Sequence, residues 1–239
     1  MSWNYSENQQ AVYKKMNNSI ILTDDGSNTI FNNDINESYH SKHGAINESQ
    51  HIFINYGLEY IYKKEIKIFE VGFGTGLNAL LSFLYSKNKK IRIDYQTIEK
   101  FPLEKPDYYA LNFSEQLNIK KNIFTNLHSS KWESKLKISD FFSITKYAKD
   151  LNNFNHKCYY DLIYFDAFSP EKQPDLWTEK IFKGLYNNLN YNGILITYCA
   201  KGAIKRKLKK IGFQVFAFPG PNGKREITQA RKIWHQEET

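Results

Sequence analysis

The sequence has little cysteine and no long apolar run. Only two of its 239 residues are cysteine, Cys158 and Cys199, and they form neither a disulfide framework nor a CxxC metal-binding pattern. We therefore expect no bound metal. No apolar stretch reaches the length of about 18 residues that a membrane span needs, and the opening segment Met1–Ser6 is polar. These absences predict a cytoplasmic protein with neither a membrane span nor a secretory leader.

Internal repeats and low-complexity segments are also absent. A chain of 239 residues, 41% of them hydrophobic, is long enough for one domain with a sizeable core. We predict a small appendage of β-hairpin and loop at residues 1–47 and a larger domain at residues 48–239. The hairpin is expected around Asp24–Gly26, between the β-prone segments 20–22 and 29–31. A helix is expected to run from Glu48 toward Lys64.

Acidic residues become scarce toward the C-terminal end. The net charge is +8, and between Lys201 and Lys232 ten basic residues accompany one acid, Glu226. One interpretation is a surface that meets a polyanionic partner. The alternative is a helix face that is only solvated. Nothing in the sequence indicates an obligate protein partner.

The most informative segment is residues 66–78, with the sequence IKIFEVGFGTGLN. An apolar run ends at Val71, a glycine-rich turn follows, and a helical apolar series starts at Leu77, which predicts a strand, a turn and a helix. Glycines allow the backbone to approach a ligand closely. Glu70 would repel a phosphate but would suit the cationic aminoacyl end of S-adenosylmethionine. This segment predicts a cofactor site, S-adenosylmethionine before a dinucleotide, with a turn used only for packing as the alternative.

Three more acids end predicted strands. Glu99 ends the second strand about 23 residues after Gly76, close to the spacing at which an acid binds ribose hydroxyls in nucleotide-binding units. Asp140, followed by Phe141, ends the third strand, where it would accept a hydrogen bond from the adenine amino group or cap a helix. Asp166 ends the fourth strand. Because open α/β sheets bind ligands at the carboxyl ends of their strands, we expect all of these acids, with Glu70, in one crevice.

Two late strands complete the predicted sheet. They lie at residues 213–218 and 227–230, after five β/α units. This ending is typical of methyltransferase-type doubly wound sheets. The predicted fold class is therefore α/β: a Rossmann-like, class I S-adenosylmethionine-dependent methyltransferase with a seven-stranded, mostly parallel sheet and a small N-terminal β and loop appendage.

In this order along the chain, the motifs resemble the methyltransferase half of the MnmC family, the tRNA 5-methylaminomethyl-2-thiouridine biosynthesis enzymes. The matching segments are Glu70–Asn78, Glu99–Pro102, Phe165–Trp177 and Gly223–Glu226. Tyr39 and residues 44–53 also look like the entry segment of that family. The resemblance covers roughly residues 20 to 230.

The resemblance implies an S-adenosylmethionine-dependent N-methyltransferase that acts on the wobble uridine of tRNA. It would convert 5-aminomethyl-(2-thio)uridine to 5-methylaminomethyl-(2-thio)uridine, with the anticodon stem-loop of tRNA as its partner. Bifunctional members of the family add a flavin domain. Because this sequence ends at Thr239, we expect neither that domain nor FAD.

Asp166 is the expected catalytic residue, which would accept a proton from the acceptor ammonium and aim the amine at the methyl group. The residues expected to bind the cofactor are Tyr39, Glu70, Gly72, Phe73, Gly74, Gly76, Asn78, Glu99, Lys100, Asp140, Phe141 and Asp166. The residues expected to bind the uracil or the tRNA phosphates are Phe168, Pro170, Lys172, Trp177, Lys201, Arg206, Lys224 and Arg225. Phe168, Pro170 and Trp177 could equally pack the loop itself.

Three other functions are compatible with parts of the sequence. Methylation of a pyrimidine at C5 would need a cysteine nucleophile, for which Cys199 is the candidate. A small-molecule amine transferase of the spermidine-synthase type shares the sheet and its strand-end acids, but its polycationic substrate favours an acidic surface. A non-catalytic RNA-binding protein on the same fold has no need of Glu70, Glu99 or Asp166. The clustered lysines and arginines, together with these acids, favour the tRNA amine methyltransferase.

Overall fold

The computed structural model of the chain describes residues 17–221 and 225–233. Its N-terminal part is a three-stranded antiparallel sheet made of β1 (Asn18–Leu22), β2 (Asn28–Asn32) and β3 (Glu37–Ser38). The predicted hairpin is confirmed, since Leu22 pairs with Asn28 across the turn. The Asp25 carboxylate accepts hydrogen bonds from Thr23 and Ser27 and so fixes this turn. Residues 1–16 of the predicted appendage lie outside the described part, and the division at residues 47 and 48 stays a prediction.

The segment after the small sheet is not the single helix that was expected. Helix α1 (Ala45–Ser49) continues as a π-helix (Gln50–Asn55), and a 3-10 turn follows (Leu58–Tyr60). The wide π-type turns direct the consecutive residues Ile52, Phe53 and Ile54 into the core. The π-helix thus contributes three consecutive apolar side chains to the core.

The main sheet has eight strands rather than seven. They are β4 (Glu65–Val71), β5 (Arg92–Ile98), β6 (Lys135–Ser139), β7 (Phe142–Tyr147), β8 (Tyr160–Phe165), β9 (Leu189–Thr197), β10 (Gln214–Pro219) and β11 (Glu226–Arg231). Their spatial order is β10-β11-β9-β8-β4-β5-β7-β6. The five central strands β9, β8, β4, β5 and β7 are parallel, while β11 and β6 run antiparallel to their neighbours. The predicted doubly wound, mostly parallel class is confirmed.

Helices and apolar clusters lie on both faces of this sheet. The helices are α2 (Leu77–Lys89), α3 (Lys105–Tyr109), α4 (Phe113–Gln116), α5 (Lys121–Ser129), α6 (Glu179–Asn187) and α7 (Gly202–Ile211), with 3-10 turns at Leu151–Asn153 and Pro174–Leu176. Alternate residues of β4 face opposite layers, so that Ile68 joins the cluster with Leu80 and Phe69 joins the cluster with Phe182. The two layers cover both faces of the sheet and leave the carboxyl ends of its strands open to ligands.

The eighth strand exists because the chain reverses direction at Asp140. Strand β6 ends at Ser139 and pairs antiparallel with β7, which starts at Phe142. Asp140 and Phe141 therefore lie at the edge where the parallel strands begin, and Asp140 is exposed and paired with Lys137 at 2.7 Å. The expectation that Asp140 and Phe141 share the crevice with the other strand-end acids is wrong. The third strand predicted from the sequence, at residues 136–140, corresponds to the antiparallel strand β6, and the parallel strand β7 that follows it was not predicted.

Candidate functional site

A cleft of about 590 Å³ lies at the carboxyl ends of β4, β5, β7 and β8. This is the edge at which open α/β sheets bind ligands. The predicted cofactor residues that line it are Tyr39, Gly72, Phe73, Gly74, Asn78, Glu99, Lys100 and Asp166. The predicted substrate residues that line it are Phe168 and Lys172. The cleft thus brings together residues that the sequence assigned to two different ligands.

Two glycines of the turn after β4 have different tasks. A Cβ atom at Gly72 would lie 2.6 Å from the carbonyl oxygen of Asp166, and its φ of +89° is a conformation that side chains disfavour. Gly72 therefore lets the ends of β4 and β8 meet in the cleft. Gly76, with φ of +73°, would instead bring a Cβ to 2.9 Å from Nε2 of His128. Gly76 does not line the cleft; it allows the turn to pack against α5.

Glu99 ties the end of β5 to the glycine turn. Its Oε2 accepts a hydrogen bond from the Gly74 N–H at 3.1 Å, and its Oε1 accepts one from the Phe101 N–H at 2.9 Å. Burial raises the pKa of Glu99, against the lowering effect of these backbone donors. Each carboxylate oxygen retains a second lone pair. A carboxylate fixed in this way can accept hydrogen bonds from a pair of ribose hydroxyls.

The acid at the next strand end is Asp150, which follows β7. Its Oδ2 accepts a hydrogen bond from Nζ of Lys100 at 2.8 Å, and its Oδ1 accepts one from the N–H of Asn152 at 2.9 Å. Burial alone would raise the pKa of Asp150, but the hydrogen bonds from Lys100 and Asn152 lower it. Lys149, Asp150, Leu151 and Asn152 all line the cleft.

Sequence reasoning missed Asp150, although a pattern for it was present. Phe142 and Ile144 alternate with polar residues, which is typical of a half-buried strand, and Asp150 follows shortly after. The pair Asp150-Leu151 has the acid followed by an apolar residue that had been assigned to Asp140-Phe141. The pattern of an acid followed by an apolar residue was therefore assigned to the end of β6, whereas the structure has it after β7.

Glu70 lies beneath the cleft rather than on its surface. It is completely buried, and the Nδ2 group of Asn78 donates to its Oε1 at 3.1 Å. The same Nδ2 group donates to Oδ2 of Asp166 at 2.8 Å. Asn78 therefore connects a buried carboxyl to a carboxyl that lines the cleft. Glu70 reaches the cleft only through Asn78.

The surroundings of Glu70 favour its neutral form. Burial raises its pKa well above 4.5, and the charge of Asp166 raises it further, against the hydrogen bonding of neighbouring polar groups. The side chains of Thr97, Asn78 and Tyr95 supply this hydrogen bonding. A protonated carboxyl can donate a hydrogen bond, whereas a carboxylate can only accept. Burial therefore favours the protonated form of Glu70, while Asp166 lines the cleft.

Trp177 supports the loop after β8 and does not line the cleft. Its side chain is 1% exposed, and its Nε1–H donates to the carbonyl oxygen of Phe168 at 2.8 Å. The hydroxyl of Tyr198 donates in the same way to the carbonyl oxygen of Ala167 at 2.9 Å. Pro170 is half-buried and also lies outside the cleft lining. Of the loop residues assigned to the uracil, Phe168 and Lys172 are at the cleft surface.

The N-terminal sheet holds the same loop from the other side. Both the N–H and the hydroxyl of Ser169 donate to the Glu37 carboxylate, at 3.2 and 2.8 Å. Two residues further along the chain, Tyr39 packs edge-on against Phe168 with ring centroids 4.9 Å apart. Glu37, Tyr39 and Phe168 all line the cleft. This side of the cleft is aromatic and is assembled from distant parts of the chain.

Much of the C-terminal basic segment contacts the protein itself. Lys201 pairs with Glu171, Lys205 pairs with Glu226 at 2.6 Å and Lys210 pairs with Glu179 at 2.9 Å. Arg206 on α7 and the exposed Arg225 make no ion pair with a described residue, and Lys224 lies outside the described part. The charge available to a polyanion is therefore smaller than the sequence suggests, and it includes Lys172 at the cleft mouth.

Cys199 is not placed to act as a nucleophile. It is 4% exposed and belongs to the apolar cluster on one face of the sheet, whereas its neighbour Tyr198 lines the cleft. Its carbonyl oxygen accepts a hydrogen bond from the Thr228 hydroxyl at 2.7 Å. This position favours a packing role over C5 methylation.

Two features are absent from residues 17–221 and 225–233. These residues hold no group of three or more histidine, cysteine, aspartate or glutamate side chains arranged to bind a metal ion. None of their helices has both the length and the apolar character required to cross a bilayer.

The fold and the cleft together define a class I S-adenosylmethionine-dependent methyltransferase. A glycine turn follows the first strand of the parallel unit, an acid follows the second strand, and an antiparallel hairpin closes the sheet. Residues 113–233, just over half of the chain, match the family model described as S-adenosyl-L-methionine-dependent methyltransferase. The chain belongs to this family.

Curated relatives confirm the resemblance to the MnmC family. The tRNA 5-methylaminomethyl-2-thiouridine biosynthesis bifunctional protein MnmC of Cupriavidus metallidurans is 28% identical over 235 residues, which are 90% of this chain and 34% of that protein. The protein of the same name from Ralstonia nicotianae is 29% identical over 217 residues, which are 84% of this chain and 33% of that protein. The chain spans about a third of the length of these relatives.

Solved structures agree with this assignment. The crystal structure of MNMC2 from Aquifex aeolicus superposes with a TM-score of 0.71 at 25% identity, over 94% of this chain and 74% of that one. Spermidine synthase from Thermotoga maritima superposes with a TM-score of 0.52 at 14% identity, over 91% of this chain and 74% of that one. The second likeness shows a shared fold alone.

The residues of the cleft fit S-adenosylmethionine. The turn at Gly72 and Gly74 presents backbone without side chains, so that a ligand can lie against it. Glu99 and Asp150 supply carboxylates beside it for hydroxyl and amino groups. Asp166 supplies a third carboxylate next to the turn, suited to a cationic group. The donor set and the shape both match the cofactor that the family name specifies.

Proposed function

We propose that this chain is an N-methyltransferase that converts 5-aminomethyl-(2-thio)uridine to 5-methylaminomethyl-(2-thio)uridine at the wobble position of tRNA. The observation that supports this most is the position of Asp166. Its carboxylate lies between the glycine turn and the aromatic side of the cleft, and the Asn78 amide holds it at 2.8 Å. A carboxylate at this boundary is suited to an amine acceptor.

The aromatic side of the cleft suits a pyrimidine base. The aromatic rings of Tyr39 and Phe168 line the cleft near Asp166. Bases of single-stranded RNA are commonly bound on aromatic faces. Lys172 at the mouth adds positive charge for a phosphate. The relatives from Cupriavidus metallidurans and Ralstonia nicotianae are named for the biosynthesis of 5-methylaminomethyl-2-thiouridine in tRNA, which supports the same substrate for this chain.

The acceptor amine must lose a proton before it can react. An aminomethyl group is mostly an ammonium at neutral pH and has no free lone pair. Asp166 accepts one of its protons by a hydrogen-bonded transfer and then holds the neutral amine. S-adenosylmethionine supplies, when bound, a methyl group on a sulfonium centre. Transfer would form the new N–C bond as the S–C bond of the sulfonium breaks, which would leave a neutral thioether and a secondary ammonium, and the proton held by Asp166 would pass to solvent.

Most of the rate enhancement in this scheme comes from positioning. Asn78 fixes one oxygen of Asp166, and Tyr39 with Phe168 restricts the base, so the amine is held in one orientation. Orientation of two reactants can contribute about 7–11 kcal/mol to lowering a barrier.

We also propose that S-adenosylmethionine binds to Gly72, Phe73, Gly74, Asn78, Glu99 and Lys100, with Asp150 in place of Asp140 at the adenine end.

The proposal is tested by one assay. The protein is incubated with labelled S-adenosylmethionine and tRNA that bears 5-aminomethyl-2-thiouridine, and the nucleosides are analysed after digestion. We expect labelled 5-methylaminomethyl-2-thiouridine. Labelling of a polyamine or of cytosine instead, with the tRNA uridine unchanged, would contradict the proposal.

A further inference from the structure

A second groove, of about 320 Å³, opens beside the cleft. Ser41 and Glu48 line both, so the two spaces adjoin. Its lining also includes Asn47, Gln50, His51, Asn55, Gly220 and Pro221. We call this space the side groove.

The side groove extends from the acceptor side of the cleft. It reaches Gly220 and Pro221, which follow β10, whereas the adenine-side residue Asp150 follows β7 toward the other end of the sheet. The N–H of Gly220 donates to the carbonyl oxygen of Arg225 at 3.2 Å, so the backbone of the exposed Arg225 lies next to a residue that lines the groove. Arg225 therefore adds positive charge beside the groove.

The lining of the side groove can recognise the edge of a base. Nε2–H of His51 donates to the carbonyl oxygen of Pro219 at 2.8 Å, which leaves Nδ1 as an acceptor. Gln50 donates to Oδ1 of Asn55 at 2.8 Å, which leaves the Gln50 oxygen and the Asn55 amide group for a ligand. The exposed amide of Asn47 adds a further donor and acceptor.

The helix that forms this lining is of an uncommon type. Gln50, His51 and Asn55 belong to the π-helix of residues 50–55, and Ile52 and Phe53 of the same helix line the cleft. Helices of the π type are rare and are frequently found at functional sites. One unusual element thus forms part of both walls. The His51 ring also packs against Tyr56, with centroids 4.9 Å apart, which provides a firm surface for stacking.

We propose that the side groove binds the nucleoside next to the modified uridine in a single-stranded RNA loop, with Arg225 beside the RNA backbone. This inference rests on the proposed function, and it adds the recognition of a second nucleotide. Single-stranded RNA is recognised by stacking and by hydrogen bonds to splayed bases, and the side groove offers both. A small-molecule amine would occupy the cleft alone and would leave the side groove without a role.

The test compares His51→Ala and Asn47→Ala with the wild type on anticodon stem-loops that carry 5-aminomethyl-2-thiouridine. Three RNAs are used: the intact loop, and two loops with an abasic site on the 5′ or the 3′ side of the modified uridine. We expect each variant to lower kcat/KM on the intact loop about tenfold, mainly through KM, because stacking and hydrogen bonds to one base are lost. The Kd for S-adenosylmethionine should not change. Asn187→Ala is the matched control, because Asn187 is exposed at the end of α6, just before β9 begins and away from the carboxyl ends of the strands.

The abasic loops separate a base-binding groove from a general effect on activity. One of them should reduce wild-type kcat/KM about tenfold, and on that loop His51→Ala should have no further effect. Equal activity of the variants and the wild type on the intact loop would overturn the inference, as would penalties that add independently on both abasic loops. Absence of methylation of any of the three RNAs by the wild type would overturn the proposed function itself.

Discussion

The two halves of the cleft are built in different ways. The cofactor half consists of Gly72–Asn78, Glu99 and Asp150, which follow the neighbouring strands β4, β5 and β7. Hydrogen bonds to carboxylates hold these residues, such as the one from the Gly74 N–H to the Glu99 side chain and the one from Nζ of Lys100 to Asp150. The acceptor half consists of side chains from the N-terminal sheet and the loop after β8. Its main link, from Ser169 to Glu37, joins residues 132 positions apart.

The fold itself positions the cofactor residues, whereas contacts between a few side chains position the acceptor residues. Any chain that forms these parallel strands brings the cofactor residues to one edge, because parallel strands end together. The acceptor half needs Glu37, Tyr39 and Phe168 to meet as well. We therefore expect changes in the cofactor half to act on folding and cofactor affinity, and changes in the acceptor half to act on turnover. Asp166 lies at the boundary and has the largest effect.

The substitution Asp166→Asn should have the largest effect on catalysis. The amide keeps the size of the side chain but cannot accept a proton from the acceptor ammonium. We expect kcat to fall by about 10²–10⁴-fold, the usual contribution of a general base. The Kd for S-adenosylmethionine, measured by calorimetry, should change by less than about tenfold. An equal loss of cofactor affinity and of kcat/KM would assign Asp166 to the cofactor half instead.

The substitution Gly72→Ala should disturb the cofactor half through its backbone. A Cβ at this position would lie 2.6 Å from the carbonyl oxygen of Asp166, and the φ of +89° disfavours alanine. We expect a loss of unfolding free energy of about 2–4 kcal/mol in urea titrations, together with weaker cofactor binding.

Gly184→Ala is the matched control for this change. Gly184 lies within α6, where no atom comes within 4 Å of an added Cβ. We expect this variant to gain about 0.5–1 kcal/mol of stability, because alanine is the better helix former. Similar losses in the two variants would show that the close approach of β4 and β8 is unimportant.

The cofactor half could be predicted from sequence because it depends on local order. Strand, glycine turn and helix follow each other within residues 66–89, and Glu99 ends the next strand along the chain. The misplacement of Asp140 and Phe141 arose where a reversal at the sheet edge could not be distinguished from a strand end. The pattern of residues gives the type of a strand but not its direction.

The acceptor half could not be predicted to the same extent. Nothing in the local sequence indicates that Ser169 donates to Glu37 or that Trp177 turns inward to support Phe168. Nor does it show that Lys201 and Lys205 are paired with Glu171 and Glu226. These contacts depend on the tertiary arrangement of distant segments, and a single sequence contains no record of that arrangement.

The substitution Glu37→Ala tests whether the N-terminal sheet positions the acceptor loop. Without the carboxylate, the N–H and hydroxyl of Ser169 lose their acceptor, and Phe168 is held less firmly. We expect kcat to fall about tenfold, because misplacement of a reacting group by a small distance is costly. The Kd for S-adenosylmethionine should stay the same. Glu37→Gln keeps one acceptor oxygen and should recover most of the activity; no recovery would argue that the charge of Glu37, rather than its hydrogen bonds, matters.

The substitution Glu70→Gln should have the smallest effect, because burial of the Glu70 carboxyl raises its pKa and favours its neutral form. The amide is also neutral and can donate, so cofactor affinity and kcat should change by only about two- to threefold.

The pH dependence of the unfolding free energy is the sharper test of this assignment. Since the folded pKa of Glu70 is raised well above 4.5, the native state holds a proton that the unfolded chain has released. The unfolding free energy of the wild type should therefore fall as the pH rises above about 4.5, by up to about 1.4 kcal/mol per pH unit from this group. Glu70→Gln lacks this loss, so its stability relative to the wild type should increase from pH 4 to pH 8 in urea titrations. A constant difference, or a loss of cofactor affinity above about tenfold, would return Glu70 to the ionised, cofactor-facing role that its sequence position suggests.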